Sequence, residues 1–361
     1  MPGRPTEVHQ FLAALAPGDA ISNQALAIQA ALRAQGFRSE IFAEKLHPKV
    51  AGCGVPLWKY AASAASEGAS LLHFAIGSAA SRLYATLPGR RALVYHNVTP
   101  PEWFLGYSGE LAALCHEGRR ELVALAERSD LALGISEFNR RDLLAAGYAH
   151  TGVLPILPDL DAPGRARSRV FETLFDDGRD NLLFVGRLTP NKRIEDLIRV
   201  FAGYQRFVHP ASRLILAGDH RGQERYFGAL LRMVDEMRLD EVVFTGHLDD
   251  DDLRACYAAA DAFLCLSEHE GFGVPLLEAM AFGLPVIAYD AAAIRETLRG
   301  AGLLLREKRP EVVAELIDLA LRDAVLRSAI LDTQARALRE LRAIDYTALL
   351  LERLGPILGN S

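Results

Sequence analysis

Cysteine is scarce in this sequence. Four cysteines are spread over 361 residues without a C-x-x-C pair, a spacing that favours reduced, structural thiols over a disulfide framework or a metal site. No basic segment followed by an apolar stretch begins the sequence, and every apolar run breaks well before the roughly 20 residues of a membrane span. We therefore expect a cytoplasmic protein, with peripheral contact to a membrane left open. The cysteines are Cys53, Cys115, Cys256 and Cys265.

An excess of basic residues is also missing. The formal net charge is -6, whereas proteins that bind nucleic acid normally carry a strong positive excess, so no nucleic-acid partner is expected. Hydrophobic residues make up 50% of the chain and charged residues 24%, which is the balance of a folded protein and not of a disordered one. The length suits two domains, each with its own core.

Short apolar strands alternate with helices along the first part of the chain. Residues 20–35 place Ala, Leu and Ile at helical spacing, and Gly36 follows where a glycine commonly ends a helix. This alternation predicts a parallel sheet that helices cover on both faces. The predicted strands are 39–43, 71–76, 92–96 and 131–136, and the further helices are 121–126 and 137–146.

A second alternation follows a segment rich in Pro, Gly and charge at residues 155–169, which is typical of a linker. We predict an α/β protein with two Rossmann-like, doubly wound parallel-sheet domains, residues 1–160 and 161–340. A helical segment at 341–361 would cross back to the first domain. The predicted strands are 181–185, 213–217, 242–245, 262–266 and 286–288; the helices are 194–207, 224–237, 276–281 and a long stretch at 312–351.

The loops that follow the strands should carry the function, because ligands of open parallel sheets bind beyond the carboxyl ends of the strands. One such loop reads G-R-L-T-P-N-K-R. Gly186 allows a tight turn, and Arg187 and Lys192 can converge near a helix that begins at Ile194. Positive charge beside a helix N-terminus forms an anion site, for which a diphosphate is the obvious ligand. Solvated loop charges are the alternative.

Two other strands end in small residues, where a planar base could approach the backbone. One ends in Gly218 and Asp219, and the other in Gly246 and His247. Ordinary strand-to-loop turns explain both equally, and a plain surface role suits His247. The acidic run that follows, residues 249–252, precedes an apolar helical pattern, which favours helix capping over metal binding.

A further loop reads S-E-H-E-G-F-G and leads into a helix near Pro275. Glu270 lies at the entrance of this helix and Glu278 about one turn inside it. We expect the backbone amides from Gly271 to Leu276 to be free and to point at a ligand. Two carboxylates separated by such amides suit a ligand with a sugar at one end, phosphates in the middle and a ribose at the other end.

These motifs together resemble the retaining glycosyltransferases of family 4, which have the GT-B fold with two Rossmann-like domains facing a central cleft. The resemblance rests on residues 268–288, where E-x7-E spacing separates the two acids, and on G-R-L-T-P-N-K at 186–192. T-G-H-L and Y-A-A-A-D-A-F-L extend it in the same half. The first half matches more loosely, through L-V-Y-H-N-V-T-P-P, G-I-S-E-F-N-R-R-D-L and V-L-P.

The resemblance implies a role for each matching residue. Arg187 and Lys192 would hold the donor's diphosphate, Glu270 would lie at the transferred sugar, and Glu278 would take the ribose hydroxyls. His96 would reach the donor sugar from the first domain. The residues expected to be catalytic are His96, Arg187, Lys192 and Glu270. Those expected to bind the donor are Gly18, Gly186, Gly246, His247, Gly271, Phe272, Gly273, Val274, Pro275, Leu276 and Glu278.

One expected residue lies in a segment that departs from the family pattern, and another has a structural alternative. P-G-D-A-I-S-N, which contains Gly18, departs from the double glycine usual in the family. Without the resemblance, His96 would be interpreted as a strand-end histidine bonded to the backbone, and His73 is expected to be a core or rim residue.

The implied activity is transfer of a hexose from a nucleoside diphosphate sugar, with GDP-mannose as the first candidate donor, to a saccharide or glycolipid acceptor in surface polysaccharide or glycoconjugate synthesis. Preorganised cations would stabilise the departing diphosphate, so neither a metal nor a cofactor is expected. A UDP-sugar-dependent transferase, a nucleotide-sugar epimerase and a non-catalytic binding protein are the alternatives. The glycines at 52 and 54 do not open a helix, which argues against a dinucleotide enzyme.

Overall fold

A computed structural model describes residues 5–60 and 68–359. The chain divides into two compact units. The first comprises Met1–Glu102, Glu110–Leu157 and Ile344–Ser361, and the second comprises Trp103–Gly109 and Pro158–Ala343. One boundary between the units thus lies between Leu157 and Pro158, within the Pro-rich segment of the sequence.

The first unit holds a seven-stranded sheet in the order β3-β2-β1-β4-β5-β6-β7, in which every pairing is parallel. The order reverses between β1 and β4, because the chain first builds outward on one side and then on the other. Its strands are β1 (Val8–Leu15), β2 (Ile41–Leu46), β3 (Val55–Pro56), β4 (Ala69–Phe74), β5 (Arg90–Tyr95), β6 (Leu131–Gly134) and β7 (Thr151–Val153). Its helices are α1 (Ala20–Ala34), α2 (Ala79–Tyr84), α3 (Gly109–Ala124), α4 (Glu137–Ala145) and α13 (Tyr346–Leu358).

The second unit holds a six-stranded parallel sheet in the order β10-β9-β8-β11-β12-β13. Here the order reverses between β8 and β11. Its strands are β8 (Asp180–Val185), β9 (Ser212–Ala217), β10 (Val242–Gly246), β11 (Ala262–Cys265), β12 (Val286–Tyr289) and β13 (Leu303–Leu305). Its helices are α5 (Arg169–Phe175), α6 (Ile194–Gly203), α7 (Glu224–Glu236), α8 (Asp250–Ala259), α9 (Val274–Ala281), α10 (Ile294–Leu298), α11 (Pro310–Arg322) and α12 (Ala324–Arg342).

The predicted fold class, two doubly wound parallel-sheet domains, is confirmed. Central strands are buried on both faces, as in β9, whose six residues are all buried, and this explains why they read as continuous apolar runs. The core of the second unit packs Phe184 and Leu216 from the sheet against Phe201 from α6. Each helix along residues 5–60 and 68–359 is too short or too polar to cross a lipid bilayer.

Some helix boundaries differ from the sequence pattern. The long stretch predicted at 312–351 is three helices, because Asp323 and Asp345 cap new helix starts by accepting hydrogen bonds from following backbone amides. The helix predicted to end at Phe207 ends at Gly203 and continues as a π turn over Tyr204–Val208. Strand β1 is not among those that the sequence pattern predicts.

Gln334 of α12 joins that helix to the sheet. Its side chain, 1% exposed, donates to the carbonyl of Leu284 at 2.8 Å and accepts from the amide of Val286 at 2.9 Å. Leu at this position would leave both backbone groups buried and unpaired, at about 1–3 kcal/mol each. We expect Gln334→Leu to lower the free energy of unfolding by about 2–6 kcal/mol, measured by chemical denaturation. Arg336→Leu, on the exposed face of α12, is the control, and an equal loss in both variants would contradict this account.

Candidate functional site

The loops after β8 and β9 approach each other at the carboxyl edge of the second sheet. A Cβ atom added to Gly218 would lie 1.9 Å from the carbonyl oxygen of Gly186, so the backbones can pass this closely only because residue 218 is glycine. The amide of Gly186 donates to the carbonyl of Ala217 at 2.9 Å. This contact fixes the start of the loop that carries Arg187 and Lys192.

Asn191 joins the loop after β8 to the loop after β11. Its side-chain amide donates to the backbone carbonyl of His269 at 3.0 Å, and its backbone carbonyl accepts from the backbone amide of Glu268 at 3.0 Å. Thr189 Oγ1 donates to Asn191 Oδ1 at 2.8 Å. Asn191 is 4% exposed. The two loops are therefore held together by buried hydrogen bonds.

This junction places Lys192 beside Glu270. Lys192 Nζ lies 2.5 Å from Glu270 Oε2, and the two side chains are 19% and 11% exposed. The sequence predicts that Arg187 and Lys192 converge on one ligand, and in the free protein Lys192 is paired with an acid. Arg187 is exposed. The site thus contains one neutralised pair and one exposed guanidinium.

The start of α9 presents backbone amides. Gly273 precedes the helix in a left-handed conformation with φ of 95°, which suits glycine. The amides of Phe272, Gly273 and Val274 have no hydrogen-bond partner within the described residues. The expectation of free amides was wrong for Leu276, because its amide donates to the carbonyl of Gly273 at 3.0 Å. Pro275, in the first turn, has no N–H group to offer.

Glu278 lies one turn inside α9 and is half-buried. Tyr257 Oη donates to Glu278 Oε2 at 2.8 Å, and the Tyr257 ring stacks on Phe282 with centroids 5.2 Å apart. Burial raises the pKa of the Glu278 carboxyl above its ordinary value of 4.5, although the hydrogen bond from Tyr257 opposes this. A carboxylate with one donor still has several unused acceptor positions.

A second group of charges supports the same loop. Lys308, 12% exposed, bridges Asp196 at 2.7 Å and Glu268. Its ammonium also lies 4.7 Å above the Tyr289 ring. Arg193 pairs with Asp196 at 3.1 Å. The sequence motifs do not predict this network. Its one local sign in the sequence is Lys308, a lysine that follows the last strand of the sheet.

The loops after β9 and β10 contribute differently. Asp219 accepts a hydrogen bond from Arg221 at 2.7 Å, which lowers the pKa of its carboxyl to about 2. Gly246 ends β10 with φ of 70°, and His247 is exposed. His247 follows the edge strand β10, which is two strands removed from β8 in the sheet.

The acidic run after β10 caps a helix. Asp249 accepts from the backbone amides of Asp251 and Asp252 at 3.1 and 3.0 Å, so the capping prediction is confirmed. Among the residues that the structure describes, no group of three or more His, Cys, Asp or Glu side chains is arranged to hold a metal ion.

Two of the predicted residues lie in the first unit. Gly18 follows β1, is exposed, and has φ of 71°. Asp19 next to it caps α1 by accepting from the amide of Ser22 at 2.9 Å. His96 directly follows β5, is 8% exposed, and its ring contacts His73 at 3.0 Å.

The second half of the chain is similar to known proteins. Residues 167–337 match the family model described as glycosyl transferases group 1. The O-antigen chain mannosyltransferase B of Escherichia coli is 32% identical over 142 residues, which are 39% of this chain and 36% of that protein. A GDP-mannose-dependent alpha-mannosyltransferase of Mycobacterium tuberculosis is 33% identical over 208 residues, 55% of this chain and 50% of that protein.

The curated relatives are therefore matched over half of their length or less. A solved structure covers much more of the chain. The Anabaena protein HepE, crystallised in complex with UDP, has a TM-score of 0.69 at 20% identity and covers 97% of this chain and 99% of its own. At this identity the likeness shows the fold, which is the two-domain GT-B fold.

The two acids of the E-x7-E spacing should affect stability in opposite directions. Glu270→Gln leaves the Lys192 ammonium without its ion-pair partner, so we expect a loss of about 1–3 kcal/mol. The raised pKa of Glu278 means that the folded state holds a proton that the unfolded state releases above pH 4.5, so stability falls as the pH rises through this window.

Glu278→Gln removes that loss. We expect it to match the wild type near pH 4 and to be more stable than the wild type near pH 8. Chemical denaturation of both variants at both pH values measures this. A Glu278→Gln variant that is less stable than the wild type at the higher pH would show that the carboxylate is well satisfied in the free protein.

Proposed function

We propose that the chain is a retaining glycosyltransferase of family 4 that uses a nucleoside diphosphate sugar. The observation that carries the proposal is the start of α9, where the amides of Phe272, Gly273 and Val274 lie between two carboxylates, Glu270 and Glu278. Amides at a helix N-terminus bind phosphate oxygens, and carboxylates bind hydroxyl groups. One ligand with hydroxyls at both ends and phosphates between them would use all of these groups.

In this proposal Glu278 holds the ribose of the donor. Its carboxylate is half-buried and accepts one hydrogen bond from Tyr257. Two ribose hydroxyls would donate two further hydrogen bonds to the Glu278 carboxylate, whose negative charge is destabilised by burial in the free protein. Ribose binding should therefore be favoured by the same burial that raises the pKa of the free carboxyl.

The positive groups of the loop after β8 would serve the leaving group. Breaking a glycosyl phosphate bond places negative charge on the departing diphosphate, and preorganised donors lower the barrier by stabilising that charge. Arg187 is exposed and can meet a phosphate directly. Lys192 is paired with Glu270, and a diphosphate would share its charge while Glu270 turns to the sugar hydroxyls.

We further propose that the transfer needs no divalent cation or other cofactor, since these cations and amides supply the positive potential. The incoming acceptor hydroxyl would be deprotonated by an oxygen of the leaving phosphate, so that attack and departure occur on the same face of the sugar. This route would retain the anomeric configuration and requires no separate nucleophile.

Mannose from GDP-mannose is the first candidate for the transferred sugar. A relative named as GDP-mannose-dependent and another named for O-antigen chains support this choice. We propose a saccharide or lipid-linked acceptor in surface polysaccharide or glycoconjugate synthesis, with the reaction in the cytoplasm. A UDP-sugar is the second candidate, because the Anabaena structure of the same fold is a complex with UDP.

A nucleotide that binds only the folded protein must raise its melting temperature. We expect one nucleoside diphosphate among GDP, UDP, dTDP and ADP to stabilise the protein by about 2.7 kcal/mol at a hundred times its dissociation constant, with and without EDTA. Glu278→Gln should lose most of this shift. No shift from any nucleotide would contradict a donor site here, and a shift without sugar transfer would indicate a non-catalytic binding protein.

Arg187 should matter most to the transition state. We expect Arg187→Met to lower the turnover number about 100-fold, which is the cost of losing one preorganised donor, while the affinity for the free nucleotide changes less. Steady-state transfer assays with the identified donor measure both quantities. Arg336→Met, far along the chain on the exposed face of α12, is the matched control. Equal, mild losses for Arg187→Met and Glu278→Gln in kcat/KM would contradict the separate roles.

A further inference from the structure

Three polar side chains form a buried chain of hydrogen bonds in the first unit. Gln10 of β1 contacts His73 of β4, and His73 contacts His96 at the end of β5. Gln10 Oε1 lies 2.8 Å from His73 Nε2, and His73 Nδ1 lies 3.0 Å from His96 Nε2. Their exposures are 0%, 4% and 8%. The chain begins at β1 and β4, where the strand order of this sheet reverses.

The orientation of the Gln10 amide is set by a backbone group. Gln10 Nε2 donates to the carbonyl of Ala25 in α1 at 3.0 Å. Turning the amide over would bring the oxygens of Gln10 and Ala25 together and would lose the hydrogen bond to Ala25. The oxygen of Gln10 therefore faces His73, and it can only accept.

This orientation determines where each histidine carries its proton. His73 must donate to Gln10 from Nε2, and in the neutral ring this leaves Nδ1 as an acceptor. His96 must then donate from Nε2 to His73 Nδ1, so Nδ1 of His96 carries no hydrogen. Both rings are neutral, because burial lowers the pKa of His73 to about 3 and that of His96 well below its ordinary value.

The remaining nitrogen has no partner. His96 Nδ1 is buried and makes no hydrogen bond to any described residue. The His96 ring stacks on the His73 ring with centroids 5.2 Å apart. The backbone amide of His96 donates to the carbonyl of Phe74 at 2.8 Å, which fixes the backbone at this position. A buried acceptor without a partner costs stability, and a donor on a bound ligand would satisfy it.

We propose that Gln10 and His73 are positioning residues that hold His96 as the Nε2–H tautomer, so that its Nδ1 accepts a hydrogen bond from a hydroxyl group of the substrate. The identity of the substrate as a sugar rests on the function proposed above, but the order of the protons does not. A lone pair at this position favours a hydroxyl over a carbonyl or a phosphate oxygen, which have no hydrogen to give.

The proton order can be measured without any assay of activity. In the full-length protein with 15N-labelled histidine, long-range 15N–1H correlation spectra at neutral pH distinguish a protonated ring nitrogen from an unprotonated one. We expect a protonated Nε2 and an unprotonated Nδ1 for both His73 and His96, with signals assigned from His73→Phe and His96→Phe. A proton on Nδ1 of His96 would overturn the proposal.

Gln10→Met tests the positioning role. This variant removes the acceptor for His73, and we expect altered ring-nitrogen shifts of His96 together with a fall of about tenfold in kcat/KM, the worth of one hydrogen bond. Gln29→Met is the matched control, because Gln29 is also a buried glutamine of this unit and donates to the carbonyl of Ser39. Unchanged His96 shifts, or equal kcat/KM in the two variants, would overturn the inference.

Failure of the proposed function would look different. In that case no nucleotide would stabilise the protein and no sugar would be transferred, while the spectra of the wild type and of Gln10→Met would still decide the proton order. Should Gln10→Met not fold, the wild-type spectrum alone supports or overturns the tautomer of His96.

Discussion

The candidate site depends on the buried hydrogen bonds of Asn191. Its side chain and backbone join the loop after β8 to the loop after β11, the two strands between which the order of the second sheet reverses. At such a point neighbouring loops diverge, which leaves room for a ligand. Asn191 holds the loops at a fixed separation there, and Lys192 and Glu270 become partners as a consequence.

The two acids of the site are kept in different electrostatic conditions. Glu270 is compensated by an ion pair, whereas Glu278 has one hydroxyl donor and a pKa raised by burial. An ion pair can exchange partners when an anion arrives, and a poorly satisfied carboxylate gains from new hydrogen bonds. Under the proposed function, a nucleotide sugar would therefore relieve the unfavourable burial of Glu278 and exchange partners with the ion pair of Glu270.

Much of the architecture could be predicted from the sequence, because buried parallel strands and amphipathic helices leave local patterns. The loops with Arg187 and Glu270 could also be identified, because each is a local motif that directly follows a predicted strand. Asn191, Tyr257 and Lys308 could not be found this way, since their partners lie 78, 21 and 40 or more positions away along the chain. The division of the last helical stretch at Asp323 has a local sequence signal, because Asp is a common residue at the N-cap of a helix.

The central claim is that Glu278 binds the ribose of a nucleoside diphosphate. Calorimetric titration of GDP and its 2′,3′-dideoxy analogue, with the UDP pair in parallel, tests it on wild type and Glu278→Gln. The account predicts that removing the hydroxyls weakens binding to the wild type at least about tenfold, the worth of one hydrogen bond to a charged group, and has little effect on the variant. Equal losses in both proteins would contradict a contact between Glu278 and the ribose.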